Sequence, residues 1–291
     1  MKKYTQKELE HSFKKIGLCK GDVVYVHSRL FTLGMMENVK SKEELCGRVL
    51  ESIFEVITDS GTIVVPAFTT QTARYGVPFI LEETKCMTGM FSEYVRCHKD
   101  SIRSLHPVLS VAAIGKYKNE ICVNASSSNW GLDSPYDRMF KMGSKTLNLG
   151  LVPFHNTFFH YIETLYNLPY LYNKLLNIDV YQNGCKVDKL FFLSIHYLDF
   201  NVIYDLDSLN ALEEKEKLVE NIRVGSSVIS CAENNNYCYY VLKALKDNPY
   251  FLLKKPPFFR PGVVPFDGIT NGKDEKSKTR AYAFLTTKNS K

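Results

Sequence analysis

The chain has 291 residues, 45% of them hydrophobic and 23% charged, which is enough apolar material for the core of one large domain. It has no run of roughly 18 apolar residues, so the sequence predicts no membrane-spanning helix. The basic residues near Met1 are not followed by the apolar segment of a secretory signal. We therefore expect a cytoplasmic protein with no membrane partner.

Charge and cysteine content argue against two further classes of protein. The formal charge is +6, but residues 254–291 carry nine Lys or Arg against three Asp or Glu, and the remaining chain has 28 of each sign. A neutral body lacks the basic face expected of a nucleic-acid-binding protein. The eight cysteines show no Cys-x-x-Cys pair or zinc-ligand spacing, so no metal site is predicted. We expect one domain over 1–255 and a basic extension over 256–291.

The first half of the chain alternates between helical and strand patterns. An amphipathic helix over 6–15 is followed by a β-branched strand over 22–27, a helix over 42–58 and a strand over 61–66. Further strands are expected over 109–114 and 146–151. This alternation predicts an α/β fold, a layered α/β/α core with a mixed sheet.

The second half has a different character. Asn183-Gly184 separates two short strand-like runs and predicts a type I′ hairpin, and 190–204 is rich in strand-forming residues. Two helices are expected over 208–220 and 234–247, the second ending before Pro249. These antiparallel strands either join the main sheet or form a lobe beside it.

His160 and Glu163 are three residues apart, which places them on one face of a helix. A carboxylate beside an imidazole holds one tautomer of the ring and makes it more basic, as a general base requires. The same spacing also occurs in ordinary surface pairs on helices. By itself, the pair does not establish a catalytic site.

Six segments follow one another in a specific order: His27-Ser28, Gly61 to Thr69, Thr88 to Arg96, Arg103 to Gly115, Gly131 to Pro135, and Leu149 to Glu163. This series resembles the aminoglycoside 3-N-acetyltransferase family, and the resemblance runs from about residue 5 to residue 253. It implies acetyl transfer from acetyl-CoA, as co-substrate, to an amine.

The resemblance also implies roles for individual residues. It places the catalytic histidine at His160, its carboxylate partner at Glu163, and the preceding threonine at Thr157. Either Thr157 or a nearby backbone amide would stabilise the oxyanion that forms during acetyl transfer. Hydroxyls, loop amides and arginines suit phosphate groups. The positions implied for coenzyme binding are His27, Ser28, Arg29, Arg103, Ser104, His106 and Ser110.

Several positions have a second interpretation. Arg29 stands where the family has a second serine, and it is either a phosphate contact or a surface residue. His106 is either a coenzyme ligand or a turn histidine that binds a backbone carbonyl. At the expected acceptor site, Glu93 contacts substrate or forms a surface ion pair, and Asp133 contacts an ammonium group or caps a turn. Phe68 completes that site.

The acceptor is expected to be a small-molecule amine on an amino sugar. Aminoglycosides are polycations, whereas the body of the chain is neutral and has no acidic cluster outside 213–216. We therefore expect a nucleotide-linked amino sugar destined for surface polysaccharide, with an aminoglycoside as the alternative. A metalloenzyme using His160 and Glu163 as ligands and a non-catalytic binding protein are alternatives from other classes. A homo-oligomer is left open.

Overall fold

The computed structural model describes residues 2–196 and 202–258. Its strands are β1 (Lys3–Tyr4), β2 (Val23–Ser28), β3 (Met35–Met36), β4 (Thr62–Pro66), β5 (Phe79–Ile80), β6 (Ile102–Arg103), β7 (Val111–Gly115), β8 (Lys145–Leu149), β9 (Leu171–Leu176), β10 (Val180–Gln182), β11 (Cys185–Lys186), β12 (Phe191–His196), β13 (Glu220–Val224) and β14 (Ser227–Glu233). Its helices are α1 (Gln6–Lys15), α2 (Lys42–Ile57), α3 (Thr70–Tyr75), α4 (Met90–Arg96), α5 (Lys118–Cys122), α6 (Pro135–Lys141), α7 (Phe158–Leu165), α8 (Leu206–Lys215) and α9 (Asn234–Asp247).

Seven of these strands form the main sheet in the order β13-β14-β8-β2-β4-β7-β6. Strand β2 is parallel to both of its neighbours, β8 and β4. The other neighbouring strands pair in antiparallel fashion, so the sheet is mixed, as predicted. Residues 23–26 of β2 are all buried, because a central strand is covered on both faces.

Side chains of β2 alternate between two apolar layers. Val24 and Val26 pack with residues of α1, α2 and α4 on one face of the sheet. Val23 and Tyr25 pack with residues of α6, α7 and α9 on the other face. Helices therefore cover both faces, which confirms the predicted layered α/β/α core.

Local hydrogen bonds determine where the helices begin and end. Helix α1 starts with a capping box in which Thr5 and Glu8 bind each other's backbone amides. Helix α8 starts after Asp205, whose side chain accepts from the Ser208 amide. It ends at Lys215, earlier than the predicted residue 220, because Lys217 adopts a left-handed φ of 53° and β13 begins soon afterwards. Among the described helices, none is long and apolar enough to cross a membrane.

The antiparallel strands of the second half go to two places. The β13-β14 hairpin joins the main sheet through β8. The pair β9-β12 and the small sheet β5-β10-β11 form a lobe around an apolar cluster that includes Phe79, Val108 and Phe191. The predicted hairpin is confirmed, since Asn183 and Gly184 have φ of 50° and 73° and β10 pairs with β11.

Two parts of the sequence predictions lie outside the described residues. These are positions 197–201 of the strand-rich stretch and positions 259–291 of the basic extension. The division of the chain near residue 255 therefore stays a prediction.

Candidate active site

The candidate site lies where β2 and β8 end. These strands are parallel, and His27 and Ser28 pair with Asn148 and Leu149, so both strands present their carboxyl ends at the same edge of the sheet. The chain then leaves β8 and enters α7. The buried side chain of Asn156 fixes this entry, because its oxygen accepts from the Phe158 amide at 3.0 Å.

Helix α7 brings together the two residues that the sequence singled out. His160 Nδ1 lies 2.7 Å from Glu163 Oε2. The carboxylate is fully buried, whereas the histidine side chain is 31% exposed. A carboxylate oxygen accepts, so Nδ1 carries the proton in the neutral ring and Nε2 keeps its lone pair.

Two tyrosines complete the surroundings of the carboxylate. The Tyr170 hydroxyl donates to Glu163 Oε1 at 2.7 Å, and the Tyr204 hydroxyl donates to Oε2 at 3.0 Å. Burial and the Glu163 charge raise the pKa of both tyrosines, so their hydroxyls stay protonated. With His160, they give the buried carboxylate three donors.

A cavity of about 430 Å³ opens beside His160. Its walls are mainly aromatic and aliphatic, and they include Phe68, Trp130, Phe159 and Leu193. The Trp130 ring lies 5.5 Å from the His160 ring, centroid to centroid. Among the described residues that line the cavity, Glu163 is the sole carboxylate and none is Lys or Arg. Phe68, which the sequence placed at the acceptor site, is one of the residues that line this cavity.

His27 and Thr157 form a second polar pair at the wall of the same cavity. His27 Nε2 lies 2.9 Å from the Thr157 hydroxyl oxygen. Burial, with a smaller contribution from His155, lowers the pKa of His27 to about 3. The ring is therefore neutral at physiological pH, and it touches the threonine rather than a charged group.

The coenzyme role predicted for Arg103 is not supported by its position. The side chain is buried, and its guanidinium donates to the carbonyls of Leu81, Thr84 and Ala67 at 3.1, 2.6 and 2.9 Å. Its Nε donates to the Ser110 hydroxyl at 3.0 Å. These bonds join parts of the protein to each other, so we correct the interpretation of Arg103 and Ser110 to a structural one.

His106 and Ser104 are also bonded to the backbone. His106 Nδ1 accepts from the amides of Val108 and Leu109 at 3.2 and 3.0 Å, and Nε2 lies 3.1 Å from the Phe192 carbonyl oxygen. This is the turn-histidine interpretation, in which both ring nitrogens are used. The Ser104 hydroxyl accepts from the Val111 amide at 2.9 Å. These bonds favour a structural role for both side chains over the predicted coenzyme contacts.

The remaining predicted residues lie apart from His160. Glu93 forms two hydrogen bonds to Arg96 at 2.7 and 2.8 Å, the ion-pair interpretation, and is not among the residues lining the cavity. Asp133 is 61% exposed and pairs with Arg138 at 2.9 Å. Arg29 is exposed at the end of β2. The structure thus replaces the substrate roles of Glu93 and Asp133 with ion pairs and leaves Arg29 open.

Sequence reasoning gave no site role to Tyr170 and Tyr204, which lie at or next to the cavity. Tyrosines and tryptophans are common in apolar cores, so residue type alone gave no signal. The one general indication is that a buried tyrosine hydroxyl needs a hydrogen-bond partner, and a buried carboxylate can be that partner.

No group of three or more His, Cys, Asp or Glu side chains is arranged to hold a metal ion within residues 2–196 and 202–258. Two pairs of polar side chains at the cavity are bonded within the protein: His160 with Glu163, and His27 with Thr157. An arrangement of a base, its carboxylate partner and a hydroxyl suits proton transfer and the stabilisation of a developing negative charge.

Comparison with known proteins identifies relatives with this fold. The sequence model of the aminoglycoside 3-N-acetyltransferase family matches residues 25–246. The SPbeta prophage-derived aminoglycoside N(3')-acetyltransferase-like protein YokD of Bacillus subtilis (strain 168) is 29% identical over 196 residues, 60% of this chain and 68% of that protein. Aminoglycoside N(3)-acetyltransferase VII of Streptomyces paromomycinus is 26% identical over 184 residues, 57% of this chain and 62% of that protein.

A solved structure gives the same result for the fold. The binary complex of AAC-IIIb with CoASH superposes with a TM-score of 0.72 at 15% identity, covering 88% of this chain and 100% of that chain. The family match extends over well more than half of the sequence, and acetyl-CoA is the co-substrate of these acetyltransferases. The chain therefore belongs to the aminoglycoside 3-N-acetyltransferase family and is an acyltransferase, as the ordered segments predicted.

Proposed function

We propose that this enzyme transfers the acetyl group of acetyl-CoA to an amine of an aminoglycoside, with His160 as the general base. The observation that carries the proposal is the 2.7 Å contact between His160 Nδ1 and Glu163 Oε2 at the wall of the cavity. Because Nδ1 donates to the carboxylate, Nε2 is the nitrogen left to accept a proton.

The base is needed because an alkyl amine is mostly protonated near neutral pH and has no lone pair with which to attack. His160 Nε2 would take the proton that the amine loses, and the ring then carries a positive charge. The negative charge of Glu163 stabilises that cation and keeps the ring in place. Such proton transfer contributes about a hundredfold to ten-thousandfold to the rate.

Thr157 would stabilise the negative charge that develops on the acetyl oxygen. When His27 Nε2 carries its proton, it donates to the Thr157 oxygen, so the threonine hydroxyl is a donor that either the Tyr25 oxygen or a group in the cavity accepts. His27 is then an orienting residue for Thr157 rather than a phosphate contact. A donor already held in place loses little entropy when the charge develops.

Acetyl-CoA supplies an activated thioester, so the protein does not need to form an acyl-enzyme. Among the described residues that line the cavity there is no cysteine, which agrees with direct transfer to the amine. Arg29, exposed at the end of β2, is the residue of the predicted coenzyme set that remains in position to meet a phosphate from solvent.

The acceptor is the part of the proposal that departs from the sequence prediction. A nucleotide-linked sugar brings a diphosphate in addition to that of the coenzyme, and no Lys or Arg is found among the described residues of the cavity wall. Both curated relatives carry aminoglycoside N-acetyltransferase names. These two observations favour the aminoglycoside alternative over the nucleotide-linked amino sugar for surface polysaccharide. The flat faces of Phe68 and Trp130 suit the ring carbons of a sugar.

The acceptor is tested by measuring thiol release from acetyl-CoA with purified protein. One set of reactions contains an aminoglycoside with a free amine at position 3, a second a nucleotide-linked amino sugar, and a third no acceptor. We expect release only in the first set, together with an aminoglycoside heavier by one acetyl group. Release with the nucleotide-linked sugar alone would contradict the proposed acceptor.

A further inference from the structure

We propose that Tyr170 and Tyr204 are positioning residues that hold the Glu163 carboxylate ionised and aligned with His160, and so set the strength of the base. This inference rests on the proposed function, because it assigns His160 as the group that takes the proton. Neither tyrosine needs to touch the acceptor or the coenzyme for this role.

Tyr170 approaches the carboxylate from the loop between α7 and β9. It is fully buried, and its hydroxyl donates to Glu163 Oε1, the oxygen that does not meet His160. The loop is tied back to the helix by a bond from the Leu168 amide to the Glu163 carbonyl at 3.3 Å. Tyr170 therefore fixes the rotation of the carboxylate about its own axis.

Tyr204 approaches the other oxygen from a different part of the chain. Its hydroxyl lies 3.0 Å from Glu163 Oε2 and 3.5 Å from His160 Nδ1, so it shares an acceptor with the histidine. The backbone around it is held by an antiparallel bridge to Leu253 and by a bond from the Asp205 amide to the Leu252 carbonyl at 2.8 Å. Its ring also packs edge-on against His160, with centroids 5.5 Å apart.

A carboxylate without exposed surface stays ionised only if donors replace water. Glu163 has three such donors, and two of them are tyrosine hydroxyls. If one hydroxyl is removed, the ionised carboxylate loses stabilisation, and the His160-Glu163 pair as a whole binds a proton more tightly. The acidic limb of the rate profile then moves to higher pH.

Two of the other histidines near this pair carry no competing charge at neutral pH, because burial lowers their pKa values. His27, His155 and His196 line the same cavity. Burial, followed by the influence of His160, lowers the pKa of His196, and burial also lowers that of His27. His155 is exposed, with its Nδ1 2.7 Å from the Pro153 carbonyl oxygen. The described cavity wall contains no Lys or Arg.

The test compares Tyr204→Phe and Tyr170→Phe with the control Tyr161→Phe. Tyr161, on α7, likewise donates to a carboxylate, that of Asp137, at 2.8 Å, but outside the site. We expect kcat/KM to fall about tenfold in each test variant, and the acidic limb of its pH profile to move up by about one unit. The control should keep both values.

A second measurement does not require acetyl transfer. In protein labelled with ¹⁵N-histidine, the His160 imidazole is followed through pH, its signals assigned by their loss in His160→Gln. Its titration midpoint should rise in both tyrosine variants and not in Tyr161→Phe. If acetyl transfer is absent from the wild type while the midpoint still moves, the proposed function fails and the role of the tyrosines stands.

Unchanged midpoints in both variants, at wild-type thermal stability, would overturn the inference. Should a phenylalanine variant fail to fold, 3-fluorotyrosine at position 204 provides the second test, because it keeps the shape and makes the hydroxyl a stronger donor. The midpoint must then move down in pH. A midpoint that stays in place with this substitution would equally contradict the proposal.

Discussion

The cavity beside His160 and the 103–110 segment contain similar residue types, but the two regions use them differently. In the cavity, His160 is bonded through Nδ1 to a carboxylate, and Nε2 is the nitrogen left to accept a proton. In the 103–110 segment, Arg103 donates to backbone carbonyls, and both ring nitrogens of His106 are bonded to backbone groups. The bonding partner of a polar side chain therefore distinguishes a reactive residue from a structural one better than the residue type does.

Two histidines with lowered pKa values make the same point. Burial lowers the pKa of His27 to about 3 and that of His106 to about 4, so both rings are neutral in the folded protein. Both nitrogens of His106 are taken by the backbone of the protein. His27 instead reaches the hydroxyl of Thr157 at the cavity wall. Their pKa values are alike, and their contacts decide their roles.

The largest effect that follows from this comparison is on stability. Arg103→Met removes the donors of three backbone carbonyls and should lower the free energy of unfolding by about 3 kcal/mol or more. Chemical denaturation measures this loss. The control Arg29→Met, at an exposed position, should stay within about 0.5 kcal/mol. A raised KM for acetyl-CoA in Arg103→Met with unchanged stability would instead restore the coenzyme role.

The second effect contrasts two threonines. Thr157→Val should lower kcat about tenfold to a hundredfold, since it removes the hydroxyl proposed to stabilise the oxyanion. Thr72 has a buried hydroxyl that donates to the Thr69 and Pro107 carbonyls at 2.7 and 2.6 Å, and it is not among the residues that line the cavity. Thr72→Val should therefore lose stability and keep its kcat. Equal kcat in Thr157→Val and the wild type would remove Thr157 from the mechanism.

The smallest effect concerns pH. The folded pKa of His106, about 4, lies below its ordinary value of 6.5, so its stabilising contribution is present above pH 6.5 and is lost as the pH falls toward 4. Between pH 7 and 5.5 this loss amounts to about 1 kcal/mol. His106→Gln cannot titrate, so its unfolding free energy should fall less over that interval. Parallel pH dependences in the two proteins would contradict the buried, neutral state of His106.

Much of the fold could be predicted from local patterns. The strands at 23–28 and 62–66 and the helix at 42–57 were expected within a residue or two, because glycines and capping residues mark their ends. The hairpin at Asn183-Gly184 follows from the turn geometry that this pair favours. The insertion of β14 between β13 and β8 was not predictable, since it depends on pairing between distant segments.

The same limit applies to the site. His160 and Glu163 are neighbours on one helix, so their contact follows from spacing. Tyr204 reaches Glu163 across 41 residues of chain, and no local pattern predicts that approach. The family resemblance implies a coenzyme role for Arg103, and its residue type suits phosphate, but the sequence does not say which way the side chain turns. The side chain turns inward and donates to backbone carbonyls, and these bonds indicate a structural role for Arg103.

The most direct test of the account is acetyl transfer by His160→Gln, measured as thiol release from acetyl-CoA with an aminoglycoside acceptor at saturating coenzyme. The control His11→Gln changes an exposed histidine on α1. We expect the rate to fall about a thousandfold in His160→Gln, with wild-type thermal stability, and to be unchanged in the control. A His160→Gln enzyme that folds and works within a factor of about two of the wild type would contradict the assignment of His160 as the general base.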